Sequence, residues 1–312
     1  MKILFHYDAG PRLRETLMAL EDETTQIMCV PEGPLEPLVS ALGDVDVVWH
    51  VLQPLTADIL RHAPRLKLIQ KIGVGVNTID LDYARAHEIA VCNMPGTNSQ
   101  AVAEMTLLLM LSCLRQLPTI DQNLRSGRWM QDQQINETLR EVTGLTIGLL
   151  GFGATPQVLA PILTAMGATV IYANRNEKNV PYERVSMDAL LARSDIVSLH
   201  LPLTQETEHC INAQALAKMK RGAVLVNTAR GGLVDEGALL AALQSGHLGG
   251  AGLDVFADEP TPSDHPLFRL PTVTVTPHIA WLTQQTWSRS LTIAMENARA
   301  MVTGQGLRHR VV

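Results

Sequence analysis

The stretch "GLLGFGATPQVL" at residues 148–159 is where the reading of this chain is decided. An apolar, strand-like run, "LTIGLL", leads into Gly151-Phe152-Gly153, and Val158, Leu159, Ile162, Leu163 and Met166 follow at helical spacing. A strand, a glycine turn and a helix in that order form a phosphate-binding turn. The first glycine permits a tight turn, and the second lets the backbone approach a pyrophosphate whose charge is met by amides at the helix start. Pro156 stands where a third glycine belongs. Proline is tolerated in a first helical turn because its missing N–H would have had no partner there. Pro161, about a turn and a half later, is expected to kink or loosen the helix. By themselves the two glycines fit either a cofactor loop or an ordinary strand-to-helix turn, so residues further along the chain have to separate the readings.

Around this stretch the chain alternates short β-branched or apolar runs with longer segments of helical spacing. The runs are "KILFHY", "VDVVWHV", "LKLIQKI", "IAVCN", "LTIGLLG", "TVIYA", "DIVSLHL", "AVLVNT", "GAGLDV" and "TVTVTP". That alternation predicts parallel sheets wrapped by helices. Four early strands end near Asn93-Met94-Pro95-Gly96, a long helix begins at about Thr97, and a final helix runs from about Thr283 to Val302. With 312 residues and 46% hydrophobic composition the chain buries ample core without staples. The four cysteines, Cys29, Cys92, Cys113 and Cys210, are scattered and lack Cys-x-x-Cys spacing, which suits reduced thiols and offers no zinc site. A formal charge of -6 gives no basic surface for nucleic acid. His6 and Asp8 come too early for a signal peptide, and "MTLLLMLSCL" at 105–114 is too short to span a bilayer. The expectation is a soluble cytoplasmic protein that binds neither membrane nor nucleic acid.

Three later segments separate the two readings of the turn. In "GAVLVNTARGGLVDEGAL" (222–239), "GAGLDVFADEP" (249–260) and "TVTVTPHIAW" (272–281), an arginine, an acidic residue and a histidine each stand beyond a strand, at the edge where open α/β sheets bind ligands. Together with "HLPLTQETEHCI" (200–211) and "IGVGVNTIDLD" (72–82), these segments resemble the D-isomer-specific 2-hydroxyacid dehydrogenase family. The resemblance implies two doubly wound parallel-sheet α/β domains with a cleft between them. One is a flavodoxin-like substrate domain, 1–96 plus 283–312, and the other a Rossmann-type NAD(P)-binding domain, 97–282. It also implies hydride transfer between a nicotinamide cofactor and C2 of a small 2-oxo acid, glyoxylate or hydroxypyruvate above all.

For the site, the resemblance implies that Arg230 binds the substrate carboxylate, His278 protonates the carbonyl oxygen and Glu259 orients His278. The residue types suit those tasks, since guanidinium clamps a carboxylate with two bonds and a partnered imidazole delivers a proton near neutrality. The family's cofactor positions fall on Gly151, Phe152, Gly153, Ala154, Thr155, Asn174, Arg175, His200, Leu201, Pro202, Thr207, Thr228, Ala229 and Asp254. Substrate walls are expected from Leu52, Val74, Gly75 and Trp281, with no metal in the site. The other histidines, among them His50, His62, His87, His209, His247, His265 and His309, are read as structural or solvent-exposed.

Cofactor choice turns on "ATVIYANRNEK" at 168–178. Where an NAD site carries an acidic residue for the ribose hydroxyls, this chain has neutral Asn174 followed by Arg175, with Lys178 nearby, so NADP(H) is favoured over NAD(H). The resemblance further implies a homodimer through the cofactor domain, with "LPTIDQNLRSGRWM" (117–130) as the contact arm and Trp129 at its end. Glutamate at 259 argues against a formate dehydrogenase. The chain's end at "GQGLRHRVV" argues against a phosphoglycerate dehydrogenase with a regulatory tail, and the lack of added recognition segments against a cofactor-sensing binding protein.

Overall fold

The computed structural model describes residues 1–129 and 137–312. The chain divides into two compact units, Met1–Asn98 with Thr283–Val312, and Ser99–Leu282.

The first unit holds a five-stranded parallel sheet in the order β2-β1-β3-β4-β5. Its strands are β1 (Lys2–His6), β2 (Gln26–Val30), β3 (Val47–His50), β4 (Leu68–Lys71) and β5 (Ala90–Cys92). This is the doubly wound order in which the chain reverses direction at β1 and β3, leaving a crevice at their carboxyl ends. β1, β3 and β4 are buried almost throughout, as strands covered on both faces must be. β2 is absent from the strands expected from sequence. It lies at the sheet edge with Gln26 and Met28 exposed, and its apolar run, Ile27 to Val30, is a strand signal that the sequence reading passed over. Helices α1 (Pro11–Met18), α2 (Leu35–Leu42), α3 (Ala57–Leu60) and α4 (Leu81–Ala86) connect the strands. The buried side chains of Leu38, Leu42, Ile59 and Leu60 pack with Leu4, Val48 and Ile69 from the sheet.

The second unit opens with α5 (Ser99–Arg115) and α6 (Leu117–Arg125) and is built on a seven-stranded parallel sheet, β12-β11-β10-β9-β6-β7-β8. The strands are β6 (Thr146–Leu150), β7 (Thr169–Ala173), β8 (Glu183–Arg184), β9 (Ile196–Leu199), β10 (Ala223–Asn227), β11 (Leu248–Leu253) and β12 (Val273–Val275). Read from β6 outward in both directions, this is the Rossmann strand order with one strand added at the edge. The linking helices are α7 (Ala154–Ala165), α8 (Met187–Arg193), α9 (Ala213–Lys218) and α10 (Glu236–Gln244). α7 runs through Pro161, which the sequence led us to expect as a kink. Pro161 faces solvent, where water can satisfy the carbonyl that loses its partner. The closing helix α11 (Gln284–Thr303) belongs to the first unit, and its N-cap Thr283 accepts the amide of Thr286. Among the described residues no single helix is long and apolar enough to cross a membrane.

Candidate active site

In the second unit the glycine turn sits directly on the carboxyl end of β6. Gly151 has φ +95°, and a Cβ there would lie 2.5 Å from the carbonyl oxygen of His200, so only glycine fits. Gly153 is the N-cap of α7. No side chain caps this helix start, and the direction a Cβ would take from Gly153 is open for 4 Å. An uncapped helix N-terminus facing open space fits a pyrophosphate. Pro156 is buried in the first turn of α7, where it forgoes no intrahelical hydrogen bond. At the end of β7, the amide oxygen of Asn174 accepts Phe152 N–H at 3.2 Å and its Nδ2 donates to Asn176 O at 2.7 Å. Asn174 therefore ties the second strand to the glycine turn. Arg184, missed by sequence reasoning, donates to the carbonyls of Asn174 (3.1 Å) and Arg175 (2.8 Å) from β8. Arg175 itself is exposed, close enough to Glu206 for its charge to help lower that carboxyl, behind the larger effect of the Thr204 hydroxyl.

The next strand ends supply the remaining positions. His200 follows β9, and its Nε2 meets Ser198 Oγ at 2.9 Å; burial lowers its pKa to about 3, so it is neutral. Thr207 organises the loop behind Leu201 and Pro202 by donating to Pro202 O at 2.7 Å and accepting Thr204 N–H at 2.8 Å. Thr228 is buried with its hydroxyl 2.8 Å from that of Thr106 on α5. Asn227, also missed by sequence reasoning, bonds both Ala229 N–H (3.0 Å) and Arg230 O (2.8 Å) and so fixes the turn that carries Thr228, Ala229 and Arg230.

Arg230, Glu259 and His278 follow β10, β11 and β12, three adjacent strands. His278 Nδ1 lies 2.6 Å from Glu259 Oε2, and Glu259 Oε1 accepts Phe256 N–H at 2.9 Å. Burial pushes the Glu259 carboxyl upward, but His278, the Phe256 amide and the charge of Arg230 together hold it below the ordinary value. Burial lowers the pKa of Arg230 while Glu259 opposes that shift. An arginine so placed is still a cation, poised to take a carboxylate.

The His278 backbone adopts φ +54°, an unfavourable conformation for a side chain other than glycine. Asp254 is what holds it. Its carbonyl accepts His278 N–H at 2.7 Å, and its fully buried carboxylate accepts Thr276 Oγ1 (2.6 Å), Ile279 N–H (2.9 Å) and Ala280 N–H (2.9 Å). Burial raises the Asp254 carboxyl against these bonds. Trp281 closes the turn by donating Nε1–H to His278 O at 3.1 Å, and it is buried. Asp254 and Trp281 thus brace the histidine turn, an occupation that spacing alone did not reveal.

In the first unit, Val74 is exposed at the tip of the loop after β4, and Gly73 has φ +149°. The carbonyl of Gly73 accepts Met94 N–H (2.8 Å) and that of Val74 accepts Asn93 Nδ2 (2.8 Å), which pins the loop carrying Gly75. Leu52 N–H and Gln53 N–H both donate to Glu32 Oε1, at 2.7 and 2.6 Å. Burial raises the Glu32 carboxyl, opposed by these amides and by Lys71. Glu32 and Asn93 carry no sequence signal, because each acts on a loop remote from it in the chain.

Residues 107–280 match the family model for the D-isomer specific 2-hydroxyacid dehydrogenase, NAD binding domain. The chain is similar to D-3-phosphoglycerate dehydrogenase of Mycobacterium tuberculosis, 38% identical over 296 residues, covering 93% of this chain and 55% of that protein. It is also similar to hydroxypyruvate reductase of Thermotoga maritima, 39% identical over 284 residues, covering 86% of this chain and 92% of that one. The chain therefore spans about half the length of the mycobacterial relative. A solved structure of a protein from Thermus thermophilus superposes with a TM-score of 0.91 at 35% identity, over 100% of both chains.

Proposed function

The chain belongs to the D-isomer-specific 2-hydroxyacid dehydrogenase family, and we propose that it is an NAD(P)-dependent reductase of small 2-oxo acids, with hydroxypyruvate or glyoxylate as substrate. The observation that carries this reading is the 2.6 Å pair of Glu259 and His278 on the strand end next to that of Arg230. Arg230 clamps the substrate carboxylate with two parallel hydrogen bonds. The Gly151–Thr155 turn would hold the pyrophosphate of a nicotinamide dinucleotide, which would supply the hydride for C2 when bound. His278 hands its Nε2 proton to the carbonyl oxygen, leaving the 2-hydroxy acid, while Glu259 on Nδ1 fixes the orientation of the ring. His200, held neutral, forms a wall with Leu201 and Pro202. Thr228 and Ala229 frame the nicotinamide side, and Asp254 and Trp281 support the turn that carries His278.

The cofactor is NADPH in preference to NADH. Asn174 has its side chain committed to Phe152 and Asn176, and it brings no negative charge against a 2′-phosphate. Arg175, on a turn held by Arg184, supplies a cation for that phosphate, with Lys178 nearby. Assembly is a homodimer through 117–130, where Leu117, Leu124 and Trp129 expose apolar surface, Trp129 at 70%; Met130, the end of that arm, lies outside the described residues. Light scattering at micromolar concentration checks the dimer, and a monomer refutes it.

Initial rates with NADPH or NADH and a panel of glyoxylate, hydroxypyruvate, pyruvate and phenylpyruvate test the activity. Turnover of a short 2-oxo acid with NADPH preferred is expected, and Arg175→Ala should erode that preference. Cofactor binding without turnover of any panel member overturns the reductase reading in favour of a cofactor-sensing protein. A preference for NADH, or one unchanged in Arg175→Ala, overturns the cofactor reading alone.

A further inference from the structure

We propose that Glu236 and His265 form a second glutamate–histidine pair that positions the catalytic pair, by clamping the Phe256–Ala257 peptide, against which the Arg230 turn lies and which directly follows the Phe256 amide that Glu259 accepts. The roles of Glu259, His278 and Arg230 are those of the function proposed above.

The two pairs are anchored side by side on consecutive backbone amides. Phe256 N–H donates to Glu259 Oε1 at 2.9 Å, and Ala257 N–H donates to Glu236 Oε1 at 2.8 Å. The other oxygen of each glutamate meets a histidine. Glu259 Oε2 is 2.6 Å from His278 Nδ1, and Glu236 Oε2 is 3.2 Å from His265 Nε2. Their surroundings differ. The His265 ring lies against Phe256 and Phe268, with centroids 5.9 and 5.3 Å away, and its Nδ1 is buried with no hydrogen-bond partner. Packed against these rings and paired through Nε2, His265 secures Glu236.

Glu236 is delivered by a rigid element. It is the first residue of α10, whose N-cap Asp235 accepts Ala238 N–H at 3.0 Å and whose Leu239 and Leu243 are buried in the core. The peptide that it grips is gripped from another side as well. A Cβ on Gly231 would fall 1.9 Å from Phe256 C, 2.0 Å from Phe256 O and 2.4 Å from Ala257 N, so the backbone following Arg230 lies directly on this peptide. Two consecutive peptide units are thus the seat of this constellation: Val255–Phe256 bonds the carboxylate that aims the acid, and Phe256–Ala257 carries the substrate arginine's turn. Ala257 N–H is the handle by which α10 holds it. Small misplacements of such groups cost about 10²-fold in rate, because reaction demands close alignment.

Three variants test the proposal: Glu236→Ala, Glu236→Gln and, as a control for general destabilisation, Ser186→Ala, which removes the N-cap of α8 elsewhere in this unit. Glu236→Ala should lower kcat by about 10- to 100-fold, with KM for NADPH within about twofold of the parent. Glu236→Gln, whose amide oxygen still accepts Ala257 N–H, should restore kcat to within about threefold. In the cofactor-free protein, hydrogen exchange at Ala257 should accelerate in Glu236→Ala and not in Glu236→Gln or Ser186→Ala. The proposal fails if Ala257 exchange is unmoved in Glu236→Ala, if kcat is unmoved, or if Ser186→Ala reproduces the loss at matched stability. If the parent protein reduces no 2-oxo acid, the function proposed above fails, while the exchange measurement still decides whether Glu236 clamps the peptide.

Discussion

His278 and His200 stand at the same edge of the same sheet, one beyond β12 and the other beyond β9, yet their surroundings give them opposite chemistry. His200 meets a neutral hydroxyl, Ser198 Oγ at 2.9 Å, and burial lowers its pKa to about 3. His278 meets a carboxylate at 2.6 Å, on a strained backbone held by Asp254. Desolvation with no counter-charge removes a histidine's ability to carry a proton, which is the state of His200, whereas His278 has a carboxylate to orient it. Proximity to a strand end is therefore not what makes a histidine an acid; its partner is.

The largest effect should come from replacing each of the two histidines in turn. His278→Ala should lower kcat/KM by about 10² to 10⁴, the range for positioned proton transfer. His200→Asn should cost less than about tenfold and act mainly through KM for the nicotinamide cofactor. Comparable losses in kcat from both variants would erase the distinction drawn between them. A smaller effect is expected from the partner. Glu259→Gln retains an acceptor for Phe256 N–H but loses the charge, trading a charge-assisted bond for a neutral one. That trade is worth roughly 1.4 kcal/mol, or about tenfold in kcat. Unchanged kcat in that variant would mean that the carboxylate orients nothing.

The smallest effect lies in stability. The pKa of His200 is about 3 and that of His6, buried on β1, about 4, against the ordinary value of 6.5. The unfolded chain binds these protons first, so the histidines' contribution is complete above about pH 6.5 and is lost as pH falls toward 4. Each contributes a slope of up to about 1.4 kcal/mol per pH unit in that window. Chemical denaturation of the parent and of His200→Asn between about pH 7 and about pH 4.5 should give a shallower acid-side fall for the variant. Parallel curves would show that His200 takes up its proton alike in the folded and unfolded chain.

How far each feature was legible depends on the distance over which its cause acts. Strand and helix alternation, the glycine turn and the order of Arg230, Glu259 and His278 are local patterns, and the parallel α/β class followed from them. β2 was passed over even though Ile27 to Val30 is an apolar run; its place at the sheet edge shows only in strand pairing. Hidden too were the braces: Asn227 on the Arg230 turn, Asp254 under His278, Arg184 on the Asn174 turn, Glu32 on Leu52 and Glu236 on Ala257.

By itself the sequence determined which residue types stand at which strand ends, because periodicity and turn chemistry are written in neighbouring residues. Only the tertiary structure decided which of those residues carry charge, which are neutralised by burial and which serve as supports. Those outcomes depend on desolvation and on hydrogen bonds between loops far apart in the chain, as between Glu236 and Ala257 or Asp254 and Ala280, and these exist only once the strands are side by side.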